Sequence, residues 1–415
     1  MARRRKLILV LVDGMSADYY ERHRDLLPSM RALVGSGTQV RRLRSAVPAT
    51  SMPGRATMLT GVGPEVHGVI GNHVLDGDSF RVATPDDIAV DTVAEWAGGA
   101  GHDVAALGFA MLRPSAAAVF HPPWWVRGFM DGSRFEKIPA ARSAPYASEV
   151  KDPDGRLPAK TTLGSGPGTY GLSTDGLLRG LAWDAWMVRA TAALMTSDTA
   201  PDLALTEIAM TDTIQHQFGF ASAEAHWSLA HADALVGDLM RALGDAGRLD
   251  ETVVAVVSDH GHANMRAAIY PDRILPADMV WESEGATLHV LVDGASRDDA
   301  SRRLAAHGAV AIASDHVPAP HRARVATYAA PEGCSFEASP PSAAPDAVAG
   351  RPKYVSTHGL RPGDPADDRF CVLAGPGIPQ RAVDSADADQ LAATLAGVLD
   401  VRPPQGTGAP FLAGR

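Results

Sequence analysis

Six side chains that could bind metal ions are spread along the chain, each next to a predicted end of a strand or helix. They are Asp13, Asp212, His216, Asp259, His260 and His358. Asp212 and His216 stand four residues apart, so on a helix they share one face. Carboxylates and imidazoles together suit divalent cations, and this mixture favours zinc. The sequence therefore predicts a metal centre if the fold brings the six side chains together.

Each part of this set also has an ordinary structural explanation. An Asp-x-x-x-His pair on a helix is usually solvated, and an Asp-His pair after a strand is often a turn or a helix cap. A Thr-His-Gly tripeptide alone carries almost no information. The prediction depends on all six positions occurring in one chain, each at the end of an element.

Apolar runs that alternate with helical patterns would position these side chains. Strands are predicted at Leu7–Val12, Asp103–Gly108, Leu203–Ile208, Thr252–Val257 and Phe370–Ala374. Helices are predicted at Ser29–Val34, Ala89–Ala97, Trp183–Met195, Ser222–Leu243 and Ala386–Val398. This alternation indicates an α/β fold, a doubly wound and mostly parallel sheet flanked by helices. Such sheets bind ligands outside the carboxyl ends of their strands, where several of the six side chains stand.

Two stretches differ from this alternation and divide the chain. Residues 113–175 are rich in Pro, Gly and Ser, which predicts an irregular lid. Residues 263–353 contain strand and helix patterns of their own, which indicates a small inserted α/β cap. We expect the metal-binding catalytic core to consist of residues 1–262 and 354–415.

The composition limits the partners and the location of the chain. A net charge of −10 and a pI near 5.8 argue against a general polyanion-binding surface, so we expect no nucleic-acid polymer as a partner. Cys334 and Cys371 are too few for a disulfide framework and form no Cys-x-x-Cys zinc site. The basic start precedes an apolar run too short for a signal peptide, and no stretch reaches the roughly 20 apolar residues of a membrane span. We therefore expect a cytoplasmic protein without a membrane partner; the sequence assigns no oligomeric state.

The segment Pro48–Asn72, PATSMPGRATMLTGVGPEVHGVIGN, carries a candidate nucleophile. Together with the Asp-Gly, Asp-x-x-x-His, Asp-His-Gly and late His-Gly motifs, it resembles the alkaline-phosphatase superfamily, in particular its type I phosphodiesterase/nucleotide pyrophosphatase branch. The resemblance extends from Asp13 to about Gly375. Aligning the prolines and the Thr-Gly and His-Gly pairs puts Ser51 at the nucleophile position, with Thr50 as the competitor one residue away.

The resemblance implies a fold, a reaction and a set of roles. The fold would be alkaline-phosphatase-like, and the reaction would be hydrolysis of a small phosphate ester, a phosphodiester or a pyrophosphate, through a covalent phospho-Ser intermediate. Asn72 would hold a nonbridging phosphate oxygen. Two divalent ions, zinc or manganese, would be bound, one by Asp212, His216 and His358, the other by Asp13, Asp259, His260 and the Ser51 hydroxyl. Metal coordination is one way to activate a serine hydroxyl, which is otherwise a poor nucleophile at neutral pH.

Several positions depart from the pattern of that branch. Met52 stands where nucleotide-cleaving members carry an aromatic residue that stacks on a base, which weakens the nucleotide interpretation. Arg55 could contact substrate oxygens or form a surface salt bridge. The stretch Leu107–Leu112 lacks the lysines of phosphonoacetate-cleaving relatives. This favours an apolar leaving group facing Phe109, Met111 or Trp124, unless those side chains belong to the core. His262 could reach substrate, although capping or loop hydrogen bonding is the commoner role.

The stretch that begins at Ser51 leaves other functions open. Its Ser-x-Pro-x-Arg order also resembles the sulfatase signature, in which the Cys or Ser becomes formylglycine and oxygen ligands bind one calcium. Histidine ligands favour zinc over calcium, so a sulfatase ranks below a phosphodiesterase. A phosphomonoesterase or a phosphonate hydrolase on the same site remains an alternative, and a non-catalytic metal-binding protein ranks last.

Overall fold

The computed structural model of the chain describes residues 4–126, 150–158 and 174–412. The described strands are β1 Lys6–Val12, β2 Thr38–Arg44, β3 His73–Asp76, β4 Ser79–Val82, β5 Val104–Leu107, β6 Val119–His121, β7 Leu203–Ile208, β8 Thr252–Val257, β9 Ala263–Asn264, β10 Ala267–Ile269, β11 Trp281–Ser283, β12 Thr287–Leu291, β13 Val310–Ile312, β14 Val325–Ala329, β15 Cys334–Phe336, β16 Ala349–Gly350, β17 Ser356–Thr357, β18 Arg369–Ala374, β19 Arg381–Val383 and β20 Ala386–Asp387. The described α-helices are α1 Ala17–His23, α2 Pro28–Ser36, α3 Ser51–Thr60, α4 Pro64–His67, α5 Val93–Gly99, α6 Thr174–Thr196, α7 Met210–Phe218, α8 Ala223–Asp245, α9 Pro271–Ile274, α10 Gly294–Ala305 and α11 Gln390–Val398.

A nine-stranded sheet forms the centre of the fold. Its strand order is β19-β2-β18-β8-β1-β7-β5-β6, and β20 also pairs with β2. The run from β8 to β6 is parallel throughout, whereas β18 is antiparallel to both β8 and β2. The α/β class and the mostly parallel sheet predicted from the sequence are therefore confirmed.

The alternation of side chains in β1 explains why both faces of this sheet are covered. Leu7, Leu9 and Leu11 belong to one hydrophobic cluster, and Ile8 and Val10 belong to a second cluster on the opposite face. All five are fully buried. Helices α3, α5 and α11 contribute to the first cluster, α1, α2 and α8 contribute to the second, and α6 contributes to both. A strand buried on both faces needs the continuous apolar run that the sequence shows.

Strand β2 of the central sheet did not follow from the sequence pattern. Three of its seven residues are arginines, which interrupt the apolar alternation expected of a core strand. These arginines are exposed, and Arg44 forms an ion pair of 2.6 Å with Asp387. The strand is therefore held by its pairing with β18, β19 and β20, and its exposed arginines form surface ion pairs.

Two helices begin later than predicted. Helix α5 begins at Val93 rather than at Ala89, because Thr92 and Glu95 form a capping box at its start. Helix α11 begins at Gln390 because the preceding residues, β20, pair with β2 instead. In both cases a competing hydrogen-bonding arrangement, a local capping box for α5 and long-range strand pairing for α11, delays the start of the helix.

The described part of the predicted lid belongs to the core. Strand β6 extends the central sheet by pairing in parallel with β5. Trp124 and Trp125 are buried, and their indole N–H groups donate to Asp184 at 2.7 Å and to Glu207 at 2.9 Å. This part of the 113–175 region is an edge of the sheet rather than an irregular lid. The remainder of the predicted lid lies outside the described residues.

Residues 263–353 form small sheets of their own. One has the order β11-β12-β14-β13, and another has the order β15-β10-β16. Leu288, Val290, Leu304 and Tyr328 are buried in a hydrophobic cluster separate from those of the central sheet. Among the described helices, none is long and apolar enough to cross a membrane.

Candidate metal centre

The carboxyl ends of three adjacent strands bring the predicted aspartates together. Asp13 directly follows β1, Asp259 stands two residues after β8, and Asp212 lies in the first turn of α7, which follows β7. The strand order β8-β1-β7 makes these ends neighbours at one edge of the sheet. All three side chains are buried. This is the edge where α/β sheets bind ligands.

Imidazoles complete three overlapping groups of possible metal ligands. Within each group the ligand atoms lie within 4.8 Å of one another. The groups are Asp13 with Asp259 and His260, Asp212 with His260 and His358, and Asp212 with His216 and His262. The structure thus brings all six predicted side chains to one site and adds His262. Their role as metal ligands stays a prediction.

Hydrogen bonds orient two of the histidine rings. His260 Nδ1 lies 3.0 Å from the Gly261 carbonyl oxygen, and His216 Nδ1 lies 2.7 Å from the Ser356 carbonyl oxygen. A carbonyl oxygen only accepts, so Nδ1 is the donor in both rings and Nε2 keeps its lone pair. Burial lowers the pKa of both imidazoles below the ordinary histidine value. Neutral imidazole with a free Nε2 is the form that binds metal ions.

Two buried atoms of the centre lack a hydrogen-bond partner among the described residues, Asp13 Oδ1 and His358 Nδ1. Asp13 Oδ1 lies 3.4 Å from His260 Nε2. Burial raises the pKa of Asp13 well above its ordinary value, against the opposing charge of Arg55. Buried polar atoms without partners are costly, and a cation between carboxylate and imidazole would satisfy them. The donor set therefore fits divalent metal ions.

His262 is a member of the centre that the sequence did not single out as a metal-site residue. It is fully buried, its Nε2 lies 2.7 Å from Asp212 Oδ1, and its Nδ1 lies 3.0 Å from Ser356 Oγ. The Asp-His-Gly-His spacing is present in the sequence, but only the fold shows that the imidazole of His262 faces Asp212. His262 therefore holds the Asp212 carboxylate in place.

We expect His262→Ala to weaken zinc binding at Asp212 by about 10–100-fold, because partners that orient metal ligands typically contribute that much to affinity. The measurement is zinc retained in competition with a chelator. Ser356→Ala removes only the outer hydrogen bond to His262 and should have a smaller effect. Wild-type zinc retention in His262→Ala would show that Asp212 needs no such support.

Helix α3 places the candidate nucleophile beside the centre. Ser51 is its first residue, and Ser51 Oγ lies 3.0 Å from His260 Nε2. The helix can approach this closely because of Gly54, where a Cβ atom would lie only 2.5 Å from the Asp259 carbonyl oxygen. The competitor Thr50 is the N-cap residue, fully buried, and its hydroxyl has no hydrogen-bond partner among the described residues. The geometry thus favours the Ser51 hydroxyl over that of Thr50.

Asn72 is held on two sides. Its Oδ1 accepts a hydrogen bond of 2.9 Å from the Met52 backbone N–H, which leaves the amide NH2 group as the end that could meet a phosphate oxygen. Its own backbone N–H donates to Glu284 at 2.6 Å, and Glu284 also accepts from the His73 backbone N–H and Nδ1. Glu284 comes from the 263–353 region, so that region positions the loop that carries Asn72.

We expect Glu284→Ala to lower kcat on the order of 10-fold, because the loop that carries Asn72 loses its acceptor and the amide donor becomes less ordered. The bound metal content should not change. Steady-state kinetics with metal analysis on the same samples tests this. Asp293→Ala, which removes an exposed helix cap in the same region, is the control and should leave kcat unchanged.

Three further predicted site residues lie in different environments. Met52 lines the large cavity described below. Phe109 is fully buried and lines a small apolar cavity within the core, so it does not face a leaving group there. Arg55 is fully buried and contacts Asp13, Asp259 and Glu207. It forms neither the substrate contact nor the surface salt bridge expected from the sequence, because both require an exposed guanidinium.

A cavity of about 840 Å³ lies over the candidate centre. Ser51, Asn72 and His358 line it from the core, and Trp281 and Tyr354 are among the other residues around it. Sites for small molecules typically measure about 300–1,000 Å³. The cavity can therefore hold a ligand larger than a phosphate ion next to the Ser51 hydroxyl.

The fold is similar to that of solved ectonucleotide pyrophosphatase/phosphodiesterases. The murine member 5 aligns over 97% of this chain and 97% of its own with a TM-score of 0.70 at 15% identity. The human member 5 aligns over 98% and 97%, with a TM-score of 0.69 at 16% identity. At such identity the likeness shows the fold alone. Fold and site together define an alkaline-phosphatase-like α/β protein with a candidate metal centre.

A family assignment follows from the sequence comparison. The profile described as type I phosphodiesterase / nucleotide pyrophosphatase matches residues 7–365, so the chain belongs to that family. A venom phosphodiesterase of Macrovipera lebetinus is 26% identical over 260 residues, 61% of this chain and 25% of that protein. The Bos taurus ectonucleotide pyrophosphatase/phosphodiesterase family member 3 is 32% identical over 92 residues, 22% and 10% of the two chains. The chain thus matches a quarter or less of the length of these relatives.

Proposed function

We propose that the chain hydrolyses a phosphodiester or pyrophosphate bond in a small phosphate ester, with two divalent metal ions and Ser51 as the nucleophile. One observation carries this proposal: the Ser51 hydroxyl lies within the cluster of aspartates and histidines, at the carboxyl edge of the sheet and beneath the cavity. Membership of the family supports the reaction class. An inactive variant of the murine member 5 was solved in complex with AMP, which agrees with a phosphate ester as the ligand of this fold.

The proposed ions are zinc, with manganese as the alternative. Asp13, Asp259 and His260 would hold one ion, and Asp212 would hold the other together with the predicted ligands His216 and His358. When bound, such ions lower the pKa of a serine hydroxyl and offset the charge on the phosphoryl oxygens.

The protein's own groups carry the proposed steps. Ser51 gives its proton to solvent and its Oγ attacks phosphorus, while the bond from phosphorus to the leaving oxygen breaks and that oxygen takes up a proton. The Asn72 amide donates to a nonbridging oxygen, and the N-terminus of α3 at Ser51 favours negative charge there. Water then attacks phosphorus, the bond to Ser51 Oγ breaks, and the serine regains its proton.

Two features favour a small diester over other substrates. The cavity volume leaves room for two organic groups on phosphorus, the leaving group and a second ester substituent, whereas a monoester carries only one. The net charge of −10 is unfavourable for a nucleic-acid polymer. Since Met52 replaces the stacking aromatic residue of nucleotide-cleaving members, we propose no particular base or nucleoside in the leaving group.

A comparison of three chromogenic esters tests the proposed function. The zinc-loaded chain should hydrolyse bis-p-nitrophenyl phosphate faster than p-nitrophenyl phosphate, and p-nitrophenyl sulfate should be the slowest. The matched control is the same preparation after treatment with EDTA. A preference for the monoester would favour the phosphatase alternative, and a preference for the sulfate with formylglycine at Ser51 would favour the sulfatase. Absence of turnover with both phosphate esters would overturn the proposal.

A further inference from the structure

Arg55 lies beneath the candidate centre and contacts three buried carboxylates. It stands one turn along α3 from Ser51 and is fully buried. One terminal nitrogen lies 2.6 Å from Asp13 Oδ2 and 3.0 Å from Glu207 Oε1, and Nε lies 3.1 Å from Glu207 Oε2. The other terminal nitrogen donates to Asp259 Oδ2. A single guanidinium therefore joins both aspartates of one predicted metal position to a third acid.

Glu207 in turn is oriented by rigid parts of the fold. It lies in β7, paired with β1, and is buried. Its Oε1 accepts from the Trp125 indole N–H at 2.9 Å, and its Oε2 accepts from the Ala110 backbone N–H at 3.1 Å. The carboxylate that holds Arg55 is thus itself held by a neighbouring segment and a ring. The arrangement fixes the guanidinium on the side that faces Glu207.

The charges at this position explain why a cation is needed. Three carboxylates are brought together in a buried site, and the ionised form of each is unfavourable without a partner. One divalent ion would offset only part of this charge. Arg55 contacts all three acids and keeps its own charge at any pH at which proteins are folded. Each of its three nitrogens already faces a carboxylate, and Arg55 is not among the described residues that line the large cavity.

We propose that Arg55 is a built-in cation of the metal centre: it neutralises Asp13, Asp259 and Glu207 and holds the two aspartates in place even without a bound ion. Arg55 is a positioning residue that does not touch substrate. The inference rests on the proposed function, because it assigns Asp13 and Asp259 to a metal ion. In a variant that lacks the Arg55 guanidinium, the stability of the centre should therefore depend on bound metal.

Thermal unfolding of the full chain tests this role, with each protein measured both zinc-loaded and after chelation. In Arg55→Met, the Tm difference between the two forms should exceed that of the wild type by about 5 °C, because the carboxylates of the chelated variant face one another without a cation. Arg113→Met is the control. Arg113 is partly buried and donates to Glu95 and the Ile88 carbonyl oxygen, away from the metal centre, so its loss should lower both Tm values alike.

Kinetics of Arg55→Lys provide a second measurement and serve if Arg55→Met does not fold. Lysine keeps the charge but cannot reach all three acids, so kcat should fall about 10-fold while KM stays at the wild-type value. A raised KM with unchanged kcat would show a substrate contact and overturn the inference. An unchanged Tm difference in Arg55→Met would also overturn it. A wild-type chain that binds no metal would instead refute the proposed function.

Discussion

Ser51→Ala should reduce turnover of the preferred phosphate ester on the order of 10⁴-fold or more, while the bound metal content stays at two ions per chain. The substitution removes the oxygen that we propose attacks phosphorus. It leaves helix α3 intact, because Ser51 caps nothing and alanine is a good helix former. Single-turnover kinetics and metal analysis on the same preparation measure both quantities.

Two further substitutions, one at the adjacent residue and one at Ser51 itself, are matched controls for Ser51→Ala. Thr50→Val removes a buried hydroxyl that makes no hydrogen bond among the described residues, so turnover should change little. Ser51→Thr keeps a hydroxyl at the nucleophile position, and we expect it to retain turnover. If Thr50→Val inactivates the chain and Ser51→Ala does not, the nucleophile assignment is reversed.

His260→Ala should lower kcat/KM on the order of 10³-fold or more and release at least one metal ion per chain. His260 belongs to two of the three ligand groups, and its Nε2 faces Ser51 Oγ. Removal of this imidazole therefore affects both predicted metal positions and the nucleophile. Activity after addition of zinc, together with metal analysis, is the measurement.

His316→Gln is the control for loss of a buried imidazole elsewhere. His316 is buried in the 263–353 region, where its ring contacts the Ala313 carbonyl oxygen and Thr327 Oγ1. We expect wild-type metal content in this variant. Full activity of His260→Ala at saturating zinc would show that neither predicted metal position needs the His260 imidazole. Treatment of the wild type with EDTA should reproduce the inactive state, and zinc should restore it.

The sheet was predictable where its strands are buried on both faces. Thr252–Val257 is a strand with the predicted bounds, because a short run of β-branched residues has few other structures open to it. Thr38–Arg44 was not predictable, since three of its seven residues are exposed arginines and its partners lie more than 300 residues away in β18 and β19. Long-range pairing of this kind leaves little local signal in the sequence.

The candidate site was predictable in its composition but less so in its arrangement. The order of motifs identified the aspartates and histidines that the fold brings together. The positions of His262 and Arg55 required the structure, because both depend on which buried carboxylate a side chain meets. The same limit explains why Phe109 was expected near a ligand: an apolar residue after a strand fits a core and a pocket equally well in the sequence.

Anomalous X-ray scattering at the zinc edge, from crystals of the zinc-loaded chain, would test the account most directly. We expect two peaks at the carboxyl edge of the central sheet, one beside Asp13, Asp259 and His260 and the other beside Asp212. Ser51 Oγ should lie next to the first peak. No peak there, or one calcium ion beside a formylglycine at position 51, would contradict the two-metal hydrolase.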